Sequence, residues 1–124
     1  AEKMGSAQIG VVPKRAEGFG NEAFSTKIFE FMILGVPVVV SETKIDRYYF
    51  NESLVEYFKP GNEKSLAEKI IYLYSNPHRR DEIVKNSFVF ATENSWVNRR
   101  KMYFDIINEL CGDKATPLLE PAKF

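Results

Sequence analysis

The chain has 124 residues, 44% hydrophobic and 27% charged, with 17 basic residues balanced by 17 acidic ones for a formal net charge of zero. That composition suits a soluble globular domain burying about two-thirds of its unfolded surface, and it excludes a general nucleic-acid binder, which needs a basic excess. One cysteine and one histidine are too few for an internal disulfide or a zinc site, and no apolar run approaches the ~20 residues of a membrane span.

Residues 1–8 read as the tail of a helix entering a strand, and without an initiator Met the chain is expected to be an excised or processed piece. Residues 9–12 form a short apolar strand ended by Pro13. Lys14 and Arg15 then open a loop, read first as solvated and second as lying near a phosphate. Gly18 and Gly20 make this loop flexible and let its backbone come close to a ligand. Ser25 and Thr26 are helix-capping residues placed just before Ile28, Phe29, Met32 and Ile33, which recur at helical spacing until Gly35 stops them. Pro37 forces an extended start to Val38, Val39 and Val40, a β-branched run suited to a strand buried on both faces. A glycine loop feeding a helix start is an anion site, because free N–H groups and the positive dipole end face the ligand.

Ser41 and Glu42 follow the second strand at its C-terminal end, the side on which open parallel sheets bind ligands, and are secondary site candidates. Ile45, Tyr48 and Tyr49 fall a helical turn apart and predict a short helix packing an aromatic face, with stacking on a base as the alternative. Residues 54–58 alternate loosely up to the turn at Pro60 and Gly61 and predict a third strand. Asn62 caps the next helix, whose buried stripe is expected to be Leu66, Ile70, Leu73 and Tyr74. Asn76 and Pro77 restart the chain as another helix through Ile83, Ser87 and Ala91. Ser95 caps the last one, with Trp96, Arg100, Tyr103, Ile107 and Leu110 on one side and Trp96 as a packing anchor. His78 reads as a surface residue, not a catalytic base. The basic groups at Arg79–Arg80 and at 99–101 have acidic neighbours and read as solvated helix faces rather than membrane patches. The whole order predicts an α/β fold with a parallel sheet, then C-terminal helices.

The stretch from Gly18 to Val40 resembles the nucleotide-sugar site of the family-4 retaining glycosyltransferases with the GT-B fold. Their signature is a Glu, seven residues, and a second Glu on a helix followed by Gly-x-Pro-Val-Val. Glu22 and Glu30 have that spacing, and Gly35-Val-Pro-Val-Val39 follows. The strand before Pro13 and the Ser95-Trp96 pair resemble the family too, although Gln8 stands where an Asp is common. The resemblance implies that Glu30 accepts hydrogen bonds from the ribose and Glu22 holds the donor sugar and takes the catalytic place. Glu17, in a Glu-Gly-Phe-Gly context, is the second choice for that role. Gly18, Phe19, Gly20, Ser25, Thr26 and Lys27 would meet the rest of the nucleotide sugar, a UDP- or GDP-sugar, with no metal. A carboxylate suits vicinal diols because it accepts two donors side by side. Two other glycine motifs do not fit: a dinucleotide fingerprint lacks its third glycine, and a P-loop lacks Gly-Lys-Ser/Thr.

The resemblance runs from about residue 7 to residue 110 and implies a partial Rossmann-like sheet, the second half of a GT-B C-terminal domain, with 111–124 as a tail. It leaves out the N-terminal acceptor domain and the first strands of the donor domain, which bring an Arg/Lys pair to the diphosphate. The piece alone is therefore expected to bind a nucleotide sugar at roughly millimolar strength and to transfer nothing. Its first strand, lacking a neighbour, is expected to promote self-association. The implied location is cytoplasmic, peripheral at the inner face of a membrane where acceptors are lipid-linked. A related GT-B sugar-nucleotide epimerase and a non-catalytic interaction module of the same fold are the alternatives.

Overall fold

Three short apolar runs make the sheet of the computed structural model, which describes residues 2–111; of the expected 111–124 tail, Cys111 is helical and residues 112–124 lie outside the described residues. They are β1 (Gly10–Val12), β2 (Val38–Ser41) and β3 (Glu56–Phe58). All pairs are parallel in the order β1-β2-β3, with Gly10 opposite Val38 and Val40 opposite Tyr57. Every residue of the central β2 is buried, as an unbroken β-branched run requires when both faces of the sheet are covered. Its side chains alternate between two cores. Val38 and Val40 join Val12, Ile28, Met32, Phe50 and Val55 on one face, and Val39 joins Phe58, Leu73 and Ile83 on the other.

The helices are α1 (Glu2–Gly5), α2 (Phe19–Glu22), α3 (Thr26–Ile33), α4 (Lys44–Tyr49), α5 (Glu63–Ser75), α6 (Pro77–Glu93) and α7 (Trp96–Cys111). Buried Ile28 and Met32 lie one turn apart on α3 and fix it to the first core. Gly35, at φ 70°, takes the left-handed conformation that ends such a helix, and the Gly35 N–H donates to the Met32 carbonyl. On α5 the Asn62 side chain accepts from the Ser65 N–H at 2.9 Å, the expected cap. Residues 2–92 form one compact unit, and a second begins at Glu93.

Four expectations are corrected. The glycine stretch is not a loop throughout, because residues 19–22 close a helical turn with the Ala23 N–H donating to the Phe19 carbonyl at 2.8 Å. On α4 the buried residue is Asp46, while Tyr48 and Tyr49 are exposed; the chain buries this charge where Thr43 and Lys14 both bind its Oδ2. Tyr74 is exposed, leaving Leu73 as the buried residue of α5, flanked by half-buried Leu66 and Ile70. Trp96 is 59% exposed within the second unit, in edge contact with Tyr103 at 5.4 Å, so its ring lies against its own helix.

One buried phenol ties α4 to β3. The Tyr57 hydroxyl lies 2.9 Å from both the Asp46 and Phe50 carbonyl oxygens, and Arg47 covers its ring at 4.0 Å. Burial, opposed by the Arg47 charge, pushes the phenol well above its ordinary value near 10. A raised folded value means the native state holds this proton more tightly than the unfolded chain. The stabilisation is complete below about pH 10 and is lost as the pH rises beyond it. Tyr57→Phe is expected to cost about 1–2 kcal/mol at neutral pH and to remove this alkaline component of unfolding, as followed by circular dichroism against pH.

Candidate functional site

The strands run parallel, so the segments leaving their C-terminal ends gather along one edge of the sheet. The Lys14 N–H after β1 donates to Ser41 Oγ at the end of β2, at 2.7 Å. Ser41 is wholly buried, and this bond occupies it, so the secondary candidate is part of the frame. Glu42 is exposed and pairs with Arg47 at 2.8 Å. Arg47 also meets Glu52 at 3.0 Å; burial works against its charge, but these carboxylates outweigh it and hold the guanidinium above its ordinary value.

From Lys14 the chain passes through exposed Arg15 and Glu17 into α2. Gly18 caps that turn, and Gly20 sits so close to the Arg15 carbonyl that an added Cβ would stand 2.5 Å from its oxygen. A glycine at 20 is thus dictated by the fold of the segment itself. Phe19 beside it is 87% exposed. Glu22 ends α2 with its carboxylate in solvent, 3.2 Å from Lys44 Nζ. Such an exposed pair contributes little to stability and leaves the carboxylate free to exchange partners. The neighbouring Asn21 Oδ1 accepts from the Lys44 N–H at 2.9 Å, which fastens α2 to the start of α4.

Four residues after Glu22, α3 begins at Thr26, with Ser25 as its N-cap. Ser25 makes no side-chain capping bond, unlike Thr43 at α4 and Asn62 at α5, so no side chain caps the first N–H groups of α3. Glu30 lies on the exposed side of α3, four residues from Thr26 and three from Lys27, and hence on one face with them. Its Cα–Cβ bond tilts toward the helix start, as in any α-helix. The side chains of Glu17, Lys27 and Glu30 make no hydrogen bond or ion pair with the other described residues. Of the predicted site residues, the structure thus sets Glu22 beside α4 and Glu30, Thr26 and Lys27 on one face of α3.

The sequence reading missed Lys14, Asp46, Asn21 and Lys44 as organisers of this edge. For Asp46 a signal existed: Thr43-Lys-Ile-Asp46 has the spacing of a capping box, and the Asp46 N–H does donate to Thr43 Oγ1 at 3.3 Å. For Lys14 there was none, since its partners lie 9 and 32 positions away in sequence. Lys14 is no solvated loop cation: its side chain is 12% exposed and its Nζ lies 2.6 Å from Asp46 Oδ2. Among the described residues no group of three or more His, Cys, Asp or Glu side chains is arranged to hold a metal ion, and no helix is long and apolar enough to cross a membrane.

The family model of the glycosyl transferases group 1 matches residues 2–89. The chain belongs to this family. Among solved structures it is similar to the sucrose-phosphate synthase of Thermosynechococcus elongatus, at a TM-score of 0.77 and 20% identity over 88% of this chain and 27% of that one. The Anabaena protein HepE, solved in complex with UDP-glucose, matches at 0.76 and 17% identity over 87% of this chain and 29% of that one. A glycosyltransferase from Rickettsia africae matches at 0.75 and 19% identity over 90% and 30%. The architecture is therefore that of a GT-B C-terminal domain, and the chain spans less than a third of the length of each of these relatives. A comparison with curated protein sequences finds no match.

Proposed function

We propose that this chain is the donor-binding part of a retaining, family-4 type glycosyltransferase that takes a nucleotide-diphosphate sugar. The observation that carries the reading is Glu30: an exposed carboxylate without a side-chain partner among the described residues, on the same face of α3 as a helix start whose N-cap makes no side-chain bond. In the proposed complex the N–H groups of Thr26 and Lys27 meet the diphosphate and Glu30 accepts from the ribose hydroxyls. Glu22 exchanges Lys44 for hydroxyls of the donor sugar, with Gly18, Phe19 and Gly20 alongside. As the glycosidic bond breaks, negative charge grows on the diphosphate, where fixed dipoles at the helix start stabilise it. HepE, whose structure holds UDP-glucose, supports a donor of this class through the shared fold. No metal enters the proposal. The Arg/Lys pair that the family places on the diphosphate, and the acceptor site, would lie on parts of the family fold that this chain does not span.

The test is a titration of the 124-residue chain with UDP-glucose, followed by protein NMR. Native chain is expected to bind at roughly millimolar strength and to transfer nothing by itself. Glu30→Ala loses a charge-assisted contact of about 1.5–3 kcal/mol, roughly 10- to 150-fold, and so moves out of the measurable range. A Glu30→Ala titration that overlays the native one would remove the ribose contact and with it the reading.

A further inference from the structure

Lys14 joins three segments of this edge. Its backbone N–H is bound by Ser41 Oγ at 2.7 Å, and its Nζ lies 2.9 Å from the Ala23 carbonyl and 2.6 Å from Asp46 Oδ2. Ala23 is the C-cap of α2, directly after Glu22 and two residues before the N-cap of α3. Asp46 is wholly buried, and Thr43 Oγ1 donates to the same oxygen at 2.6 Å, while Oδ1 has no partner. Among the described residues Lys14 is the one cation paired with that carboxylate.

An ammonium bears three donors and no acceptor, so one Lys can bind a carboxylate and a carbonyl at once. The arrangement uses this to pin the link between α2 and α3 to the underside of α4. We infer that Lys14 is a positioning residue for the donor site: through the Ala23 carbonyl it sets where the Glu22 carboxylate and the first N–H groups of α3 stand. The inference rests on the donor-site reading above. It follows from the spacing, because an error at Ala23 is passed to Glu22 on one side and to Ser25 and Thr26 on the other. Preorganised donors lose their effect when their placement loosens.

The test separates placement from stability. Lys14→Met combined with Asp46→Asn removes both buried charges together, keeps an acceptor for Thr43, and frees the Ala23 carbonyl. Native chain and this pair are titrated with UDP-glucose by NMR, with amide hydrogen exchange measured on both. The expected result is unchanged protection in β1, β2 and β3, faster exchange from Gly20 to Ile28, and UDP-glucose binding weakened by about tenfold or more. Binding within about twofold of native by a folded pair overturns the positioning role and leaves the donor site intact. Absence of binding by the native chain overturns the donor-site reading, and the inference with it. Lys14→Arg is the second variant should the pair unfold. It keeps a cation against Asp46, but a planar guanidinium cannot repeat the ammonium geometry at Ala23. Weaker UDP-glucose binding by folded Lys14→Arg supports the inference, and binding equal to native overturns it.

Discussion

Phe50→Ala is expected to lower the free energy of unfolding by about 3–5 kcal/mol, a large part of what a domain of this size possesses. Phe50 is 2% exposed, and its ring stands 5.8–6.4 Å from four others: Phe24, Phe29, Tyr49 and Phe90. Those rings come from the segment between α2 and α3, from α3, from α4 and from α6, so the cavity left by the substitution opens where four segments meet. Aromatic neighbours in tilted and edge contact also lose quadrupole attraction beyond the buried area. The loss reaches the candidate site through Phe24, which lies 5.0 Å from Tyr49 and 5.7 Å from Phe29 and is 39% exposed. Urea unfolding with an unchanged slope checks the magnitude. Phe24→Ala, already half in solvent, is expected to cost much less, and a comparable loss in the two variants would place the packing in Phe24 instead.

The elements legible in the sequence are those whose cause is local. Val38 to Val40 could only suit a strand covered on both faces, and β2 is that strand. Ile28 and Met32, a turn apart and followed by Gly35, specify α3 without reference to anything distant. Asn62 before Glu63 announces a cap that forms as expected. What was illegible is what distant partners decide. Gly18 to Glu22 reads as loose because glycine is permissive, yet the packing of Gly20 on the Arg15 carbonyl closes it into a turn of helix. Asp46 belongs on the surface by composition and is buried because Thr43 and Lys14 meet it there. The spacing of Glu22 and Glu30 was legible, and so was the helical position of Glu30. The pairing of Glu22 with Lys44 was not, because a separation of 22 positions gives no hint of proximity.

Lys14→Met alone is expected to be among the most damaging single substitutions in the chain, at about 3–5 kcal/mol, because it leaves the Asp46 carboxylate buried with Thr43 as its remaining side-chain partner. The sign follows from the asymmetry of buried pairs. Forming the pair costs desolvation of both ions and returns attraction, so the net contribution of the intact pair is small. Removing one partner keeps the desolvation cost of the other and deletes what offset it. Adding Asp46→Asn to Lys14→Met should therefore restore more than half of the lost stability, although it removes a further charge. Unfolding free energies of the native chain, the two single variants and the pair close a double-mutant cycle, and the coupling energy is expected to exceed about 1.5 kcal/mol. A cycle that closes near zero would mean that Lys14 and Asp46 act independently and that the 2.6 Å contact between them carries no energy. The same pair of substitutions frees the Ala23 carbonyl, so stability that returns while donor binding does not would divide the two tasks of this one lysine, one in the fold and one in the site.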